Sequence, residues 1–70
     1  METRRYQYIF AEIDLKTRMC VGVHDCTANL ESETMVRIPV YDEEYIFKYY
    51  IDGNWYEDAA GTIPWTSSLW

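Results

Sequence analysis

Residues 41–58 read Tyr-Asp-Glu-Glu-Tyr-Ile-Phe-Lys-Tyr-Tyr-Ile-Asp-Gly-Asn-Trp-Tyr-Glu-Asp, and two local signals in this stretch decide the class of fold. The Asp42 carboxylate can accept from the free N–H groups at a helix start, and Glu43 and Glu44 suit its positive end, so the pattern predicts one short helix near 42–47. Phe47 to Ile51 then has strand composition, and Trp55-Tyr56 begins a return strand. Between them Asp52-Gly53, or Gly53-Asn54, supplies the positive φ that a two-residue turn demands, which makes Lys48–Glu57 a β-hairpin. Five of the seven tyrosines and one of the three tryptophans lie in this run. With six carboxylates beside them, they compose an adhesive surface element rather than a catalytic loop.

Upstream, Tyr6 to Leu15 alternates. Ile9, Ala11, Ile13 and Leu15 share one face, and Tyr6, Tyr8, Phe10, Glu12 and Asp14 share the other. Lys16-Thr17-Arg18 is a polar connection, after which Met19, Val21 and Val23 resume the alternation, so residues 6–24 are expected to form an antiparallel hairpin. Asp25 to Thr34 is polar and aperiodic, a loop or a single helical turn. Met35 to Tyr41 returns to strand pattern with Val36, Ile38 and Val40 on one face, and Pro39, which lacks a backbone donor, places it at a sheet edge or a strand end.

Gly61 and Pro64 break regular structure, leaving residues 59–70 as an irregular docking segment whose Ile63, Trp65, Leu69 and Trp70 require cover. The sum is a single domain over residues 1–70, mainly β within the α+β class. Its small antiparallel sheet takes four to five strands from two hairpins and a middle strand.

Seventy residues bury only about 60% of the surface of the unfolded chain, so the core needs a supplement. The 49% hydrophobic and 17% aromatic content makes self-association that supplement, in a homo-oligomer. Twelve acidic against six basic residues give a formal charge of -6, which repels phosphate backbones and argues against direct nucleic-acid binding. No window has the roughly 18 apolar residues of a membrane span, and the first residues lack a signal core, so synthesis and retention in a cytoplasm are expected.

Cys20, His24 and Cys26 are the clustered metal-ligand types. In a continuous strand they share a face, but residues 20 and 26 then stand about 20 Å apart, beyond one metal or a disulfide. Three ligands at this spacing match no zinc pattern, so both cysteines are structural, and neither metal nor cofactor is expected. A nucleophile would need a base, and His24 is the only histidine. The pairs Glu43-Glu44 and Glu57-Asp58 are a helix start and a solvated strand end rather than opposed carboxylates flanking a cleft. The chain is therefore expected not to be an enzyme.

The aromatic residues offer more. Tyr6, Tyr8 and Phe10 on one strand face, Tyr49, Tyr50, Trp55 and Tyr56 on the second hairpin, and Trp65 and Trp70 in the tail supply contact area at low entropic cost. They form a protein interface, unless the helix and tail cover them as core or they stack sugars.

Taken together, Tyr8-x-x-Ala11-Glu12-Ile13-Asp14, Val21-x-Val23, Ile38-Pro39-Val40, Asp42-Glu43-x-Tyr45-x-x-Lys48-Tyr49-Tyr50 and Trp55-Tyr56-Glu57-Asp58 resemble small tail- or fibre-associated proteins of phages and prophages of Gram-positive gut bacteria. The resemblance covers Tyr8 to about Pro64. It implies a non-enzymatic virion component, made in the host cytoplasm, whose partners are itself and other virion proteins. It brings no catalytic or binding residues with it. The alternative is an acidic phage-encoded inhibitor or DNA mimic that grips a basic host protein through Asp42, Glu43, Glu44, Asp52, Glu57 and Asp58.

Overall fold

The computed structural model describes residues 8–69. Five short strands appear in chain order: β1 (Tyr8–Ile13), β2 (Cys20–Cys26), β3 (Met35–Arg37), β4 (Tyr49–Ile51) and β5 (Asn54–Tyr56). They form two antiparallel sheets, one of order β2-β1-β3 and one pairing β4 with β5. The mainly β class is as expected, with the strands divided between two sheets.

The division is incomplete. Met19 bridges Tyr49, Cys20 N donates to Lys48 O at 2.8 Å, Phe47 N donates to Cys20 O at 2.8 Å and Tyr50 N donates to Arg18 O at 2.9 Å. These bonds hang the second hairpin on the outer side of residues 18–20. Of the expected 6–24 hairpin, the part from Tyr8 on is present, with β1 ending at Ile13 and Leu15 placed in the turn, 46% exposed; residues 6 and 7 lie outside the described residues.

Register, not pairing, departs from the alternation. Glu12 faces Gly22 while Ile13 faces Cys20, so Val21 is an extra residue on β2, a β-bulge. Parity inverts there. Cys20 turns into the core at 0% exposure, whereas Val21, expected inward beside Met19 and Val23, is 47% exposed. Val23 opposite Ala11 recovers the inward face.

The core is Ala11, Ile13, Cys20, Ile38 and Tyr45, with Ile9, Val23, Val36, Val40, Tyr50, Trp55 and Trp65 packed against it. β3 lies on the free side of β1, an edge strand as Pro39 requires, and Ile38 N extends the pairing with a 2.9 Å bond to Ile9 O.

The expected helix is a single 3-10 turn, Glu43–Tyr45. Asp42 caps it as anticipated, its Oδ1 accepting from Glu44 N at 2.9 Å. The turn stops at Ile46, whose backbone is already extended (φ -62°, ψ 131°); Phe47 follows at φ 80°, a left-handed conformation costly for a bulky residue, and the strand begins only at Tyr49. Asp52 (φ 51°) and Gly53 (φ 83°) are the central pair of the second hairpin, between the facing residues Ile51 and Asn54.

The tail docks on its own chain. Glu57 N donates to Ile63 O at 2.8 Å and Trp65 N to Trp55 O at 3.0 Å, either side of the Tyr56–Pro64 bridge. Pro64 thus occupies the one position of this short ladder where no backbone donor is used. Within residues 59–69, Trp65 finds cover, while Ile63 and Leu69 remain 52% and 62% exposed.

Candidate functional site: an aromatic cleft between the second hairpin and the tail

Alternation sorts the aromatic residues of the second hairpin onto opposite faces. Tyr50 faces Trp55, and Tyr49 faces Tyr56. Only the first pair looks toward the core, so the cluster expected from sequence is two clusters. On the other face a Cβ at Gly61 (φ 72°) would stand 3.2 Å from Ile51 Cδ1 and 3.7 Å from Tyr56 Cδ2, so the 58–62 turn presses on Tyr56.

That turn is held by Asp58. Its carboxylate accepts from the Thr62 hydroxyl, from Thr62 N at 2.9 Å and from Ile63 N at 3.0 Å. The Thr62 hydroxyl first, then the Ile63 N–H, hold the Asp58 carboxyl below the usual range. Asp58 is a loop cap, not merely a solvated strand end.

On the core side, the Tyr45 ring meets Trp55 edge-on at 4.9 Å and 71°, and Trp65 at 4.9 Å and 81°. Tyr50 tilts against Trp55 at 5.0 Å, and Lys48 Nζ lies 5.0 Å over the Trp65 ring, a cation–π contact. Edge-to-face pairs of this kind add about 0.5–1.5 kcal/mol each beyond the area they bury. The array is therefore fixed in orientation.

Tyr45, Trp55 and Trp65 line an open cleft of about 260 Å³, completed by Pro39, Gly53, Asn54, Thr66 and Ser67. One rim is latched to the 3-10 turn: the buried Ser67 hydroxyl donates to Asp42 Oδ2, and Ser67 Oγ accepts from Leu69 N at 3.1 Å. That hydroxyl, followed by the Glu44 N–H, holds the Asp42 carboxyl below the ordinary carboxylate range. Burial pushes the Tyr45 phenol up, with the Asp42 charge acting in the same direction.

The other expected interface residues are placed differently. Tyr8 is half-buried, stacked on Phe10 at 6.5 Å with the Arg37 guanidinium 4.6 Å over its ring. Phe10 is 0% exposed, which corrects its place in an outward row: on the middle strand, opposite His24 on β2 and Arg37 on β3, it is enclosed within the chain. Tyr6 and Trp70 lie outside the described residues.

Cys20, His24 and Cys26 do not converge. The bulge turns Cys20 to the core, where burial raises its thiol and its Sγ donates to Gly22 O at 3.3 Å. His24 and Cys26 stay on the opposite face, His24 Nε2 pairing with Glu12 Oε1 at 2.9 Å. Both cysteines are free, and no group of three or more His, Cys, Asp or Glu that could hold a metal occurs among the described residues. Nor does any helix of the described residues have the length and apolarity to cross a membrane.

Sequence reasoning singled out Trp55 and Trp65 but missed Tyr45 and Ser67. Tyr45 carried a signal, standing at the end of a capped turn where a ring points back to the core; the role of Ser67 depends on a partner 25 residues away and has no local mark. No protein-family description, curated protein or solved structure matches the chain.

Proposed function

We propose that this chain is a non-catalytic protein-interaction module, a phage or prophage virion component that joins itself and larger tail or fibre proteins. The observation that carries the interaction reading is the open aromatic cleft, in which two tryptophans are oriented by a buried tyrosine. Rigid, half-exposed Trp and Tyr side chains are the groups that dominate interface energetics. The tail- or fibre-protein assignment rests on the sequence resemblance.

The binding surface in this reading is the second hairpin with the tail, not the β1 face, because Phe10 is enclosed. Solution mass across a concentration and salt series tests it. A dimer or larger assembly that withstands salt and is lost in Trp65→Ala supports the module; a monomer at all concentrations that also fails to bind a tail or fibre protein overturns it.

The acidic-inhibitor alternative has less support. Of its six carboxylates, Asp42 is tied to Ser67 and Glu44 N, and Asp58 to Thr62 and Ile63 N. Glu43, Glu44, Asp52 and Glu57 remain exposed. A complex built on them would weaken steeply with ionic strength, whereas an aromatic interface would not.

A further inference from the structure

The edge of a β-sheet is a row of backbone donors and acceptors that another strand can meet, and three of the strand edges here are already met within the chain. On β3, Met35 N donates to Ser32 O at 3.3 Å and Met35 O accepts from Ser32 N at 3.1 Å, while Pro39 has no N–H to offer. β5 is closed by the tail, through Trp65 N to Trp55 O and Glu57 N to Ile63 O, and β4 by residues 18–20. β2 is different. On the far side of β1, Ile9 O accepts from Ile38 N and Ile13 N donates to Thr34 O, so Ile9, Ala11 and Ile13 turn their backbone groups toward β3. Val23 and Asp25, which face Ala11 and Ile9, therefore turn theirs away from β1. Among the described residues nothing bonds to them on that side.

Phe47 stands where the open part of this edge begins. Its N–H donates to Cys20 O while Cys20 N donates to Lys48 O, so two consecutive residues face one, a β-bulge whose first, left-handed position is ordinarily glycine. Before Phe47 the chain leaves the side of β2 through the extended Ile46 and enters the 3-10 turn, where Tyr45 is buried. Alongside the rest of β2, Val21 is 47% exposed and His24 and Asp25 are exposed as well. A bulky residue at φ 80° costs stability, and a side chain 69% exposed recovers little of that by packing within the fold. Phe47 and Val21 thus put two exposed apolar residues at one end of an unmet backbone edge.

We infer that residues 21–25 take an extended, Lys- or Arg-bearing segment of a partner protein as an added strand, anchored by an apolar side chain against Phe47. This is a second interaction surface, separate from the aromatic cleft. The backbone sets the conformation of the occupant, because outward groups at strand spacing are met in full by another strand. Charge sets its composition. Asp25 lies on the edge strand, and Glu43 and Glu44 lie on the 3-10 turn packed beside β2. None of the three has a cationic partner among the described residues, and Glu12 is the one carboxylate nearby that is paired, with His24. A second copy of β2 would set Asp25 and these glutamates against their own kind at a formal charge of -6 per chain, whereas a cationic strand pairs with them.

The test is titration of the ¹⁵N-labelled full chain with a short capped peptide of alternating Val and Lys, reading amide exchange and chemical shift. Controls are a Val-Glu peptide of equal length and the Val-Lys peptide with prolines at its centre. In the free chain the Val23 and Asp25 amides should exchange faster than those of Gly22, His24 and Cys26, which lie against β1. The Val-Lys peptide alone should shift the Val23 and Asp25 signals saturably and slow their exchange, while the Trp55 and Trp65 indole signals stay in place. Phe47→Gly should weaken this binding roughly tenfold or more with the melting temperature retained or raised. Unmoved Val23 and Asp25 signals up to about 1 mM peptide, equal binding of either control, unchanged binding by Phe47→Gly, or shifts confined to the indoles would overturn the inference. So would protection of Val23 and Asp25 that grows with protein concentration alone, which would put a second copy on the edge. Salt-resistant self-association lost in Trp65→Ala would leave the cleft reading standing after such a result, and peptide binding by a strictly monomeric chain would leave the edge standing without the cleft, so the two can fail separately.

Discussion

Truncating Phe10 separates an interior ring from an interface ring. Phe10 is 0% exposed and sits on the central strand, facing His24 on one neighbour and Arg37 on the other. Removing a fully buried phenylalanine side chain costs about 3–5 kcal/mol through lost transfer energy and the cavity left behind. A domain of this length has a total stability of about 4–10 kcal/mol at 0.05–0.15 kcal/mol per residue, so Phe10→Ala should lose a large share of it, and all of it at the low end of that range. Phe10→Leu keeps most of the apolar volume and should cost about 1–1.5 kcal/mol. At about 4–8 °C per kcal/mol for a domain this small, its melting temperature should fall by about 4–12 °C. Urea unfolding followed by tryptophan emission measures both variants, with light scattering reporting their mass. A Phe10→Ala protein that lost under 1 kcal/mol while its assembly dissolved would refute the enclosure of this ring and restore it to an interface.

Phe47→Gly should be neutral or stabilising by up to about 1 kcal/mol, because relief of its left-handed backbone (φ 80°) outweighs glycine's entropy when the side chain is 69% exposed; a clear loss in urea midpoint would show that the ring packs. A thiol reagent should modify Cys26 at native conditions and Cys20 only as the chain unfolds, since Cys20 is 0% exposed and its thiol is raised by burial; equal rates by mass spectrometry would contradict the bulge. Asp42 and Asp58 are held below their ordinary value of 3.8, so their contribution to stability is complete above that pH and is lost as pH falls beneath it. Tyr45 and Cys20 are raised above 10.0 and 9.0, so theirs is complete below those values and lost as pH rises through them. Urea midpoints from acid to alkaline pH should therefore fall at both ends, and Asp58→Asn should flatten the acid limb.

The sequence signals that survived in the structure are those whose physics is local. Asp42 caps its turn through an N–H two residues on, and Asp52-Gly53 takes the positive φ values that its composition permits. The 8–13 alternation delivers Ala11 and Ile13 to the core. What failed was parity over distance. Val21 inserts one residue into β2 with no change in local composition, and every assignment from Cys20 backward then changes face. The length of the helix was hidden for a related reason: residues 42–47 have the composition of a first turn, but Ile46 is already extended, and Phe47 after it is left-handed and donates to Cys20 O on a strand 27 residues earlier.

The aromatic residues show how one composition yields three roles. Phe10 lies on the middle strand between His24 and Arg37, with Tyr8 stacked against it, and is fully enclosed. Tyr49 and Tyr56 share the opposite face, where the Asp58-capped turn lies against Ile51 and Tyr56. Trp55 and Trp65 come together only because the tail pairs beside β5 on either side of Pro64, and Tyr45 then fixes both rings. The cleft is thus not a property of either hairpin. It exists where a turn near residue 45, a strand near 55 and a tail near 65 meet, and the Ser67–Asp42 bond is what ties the last of these to the first.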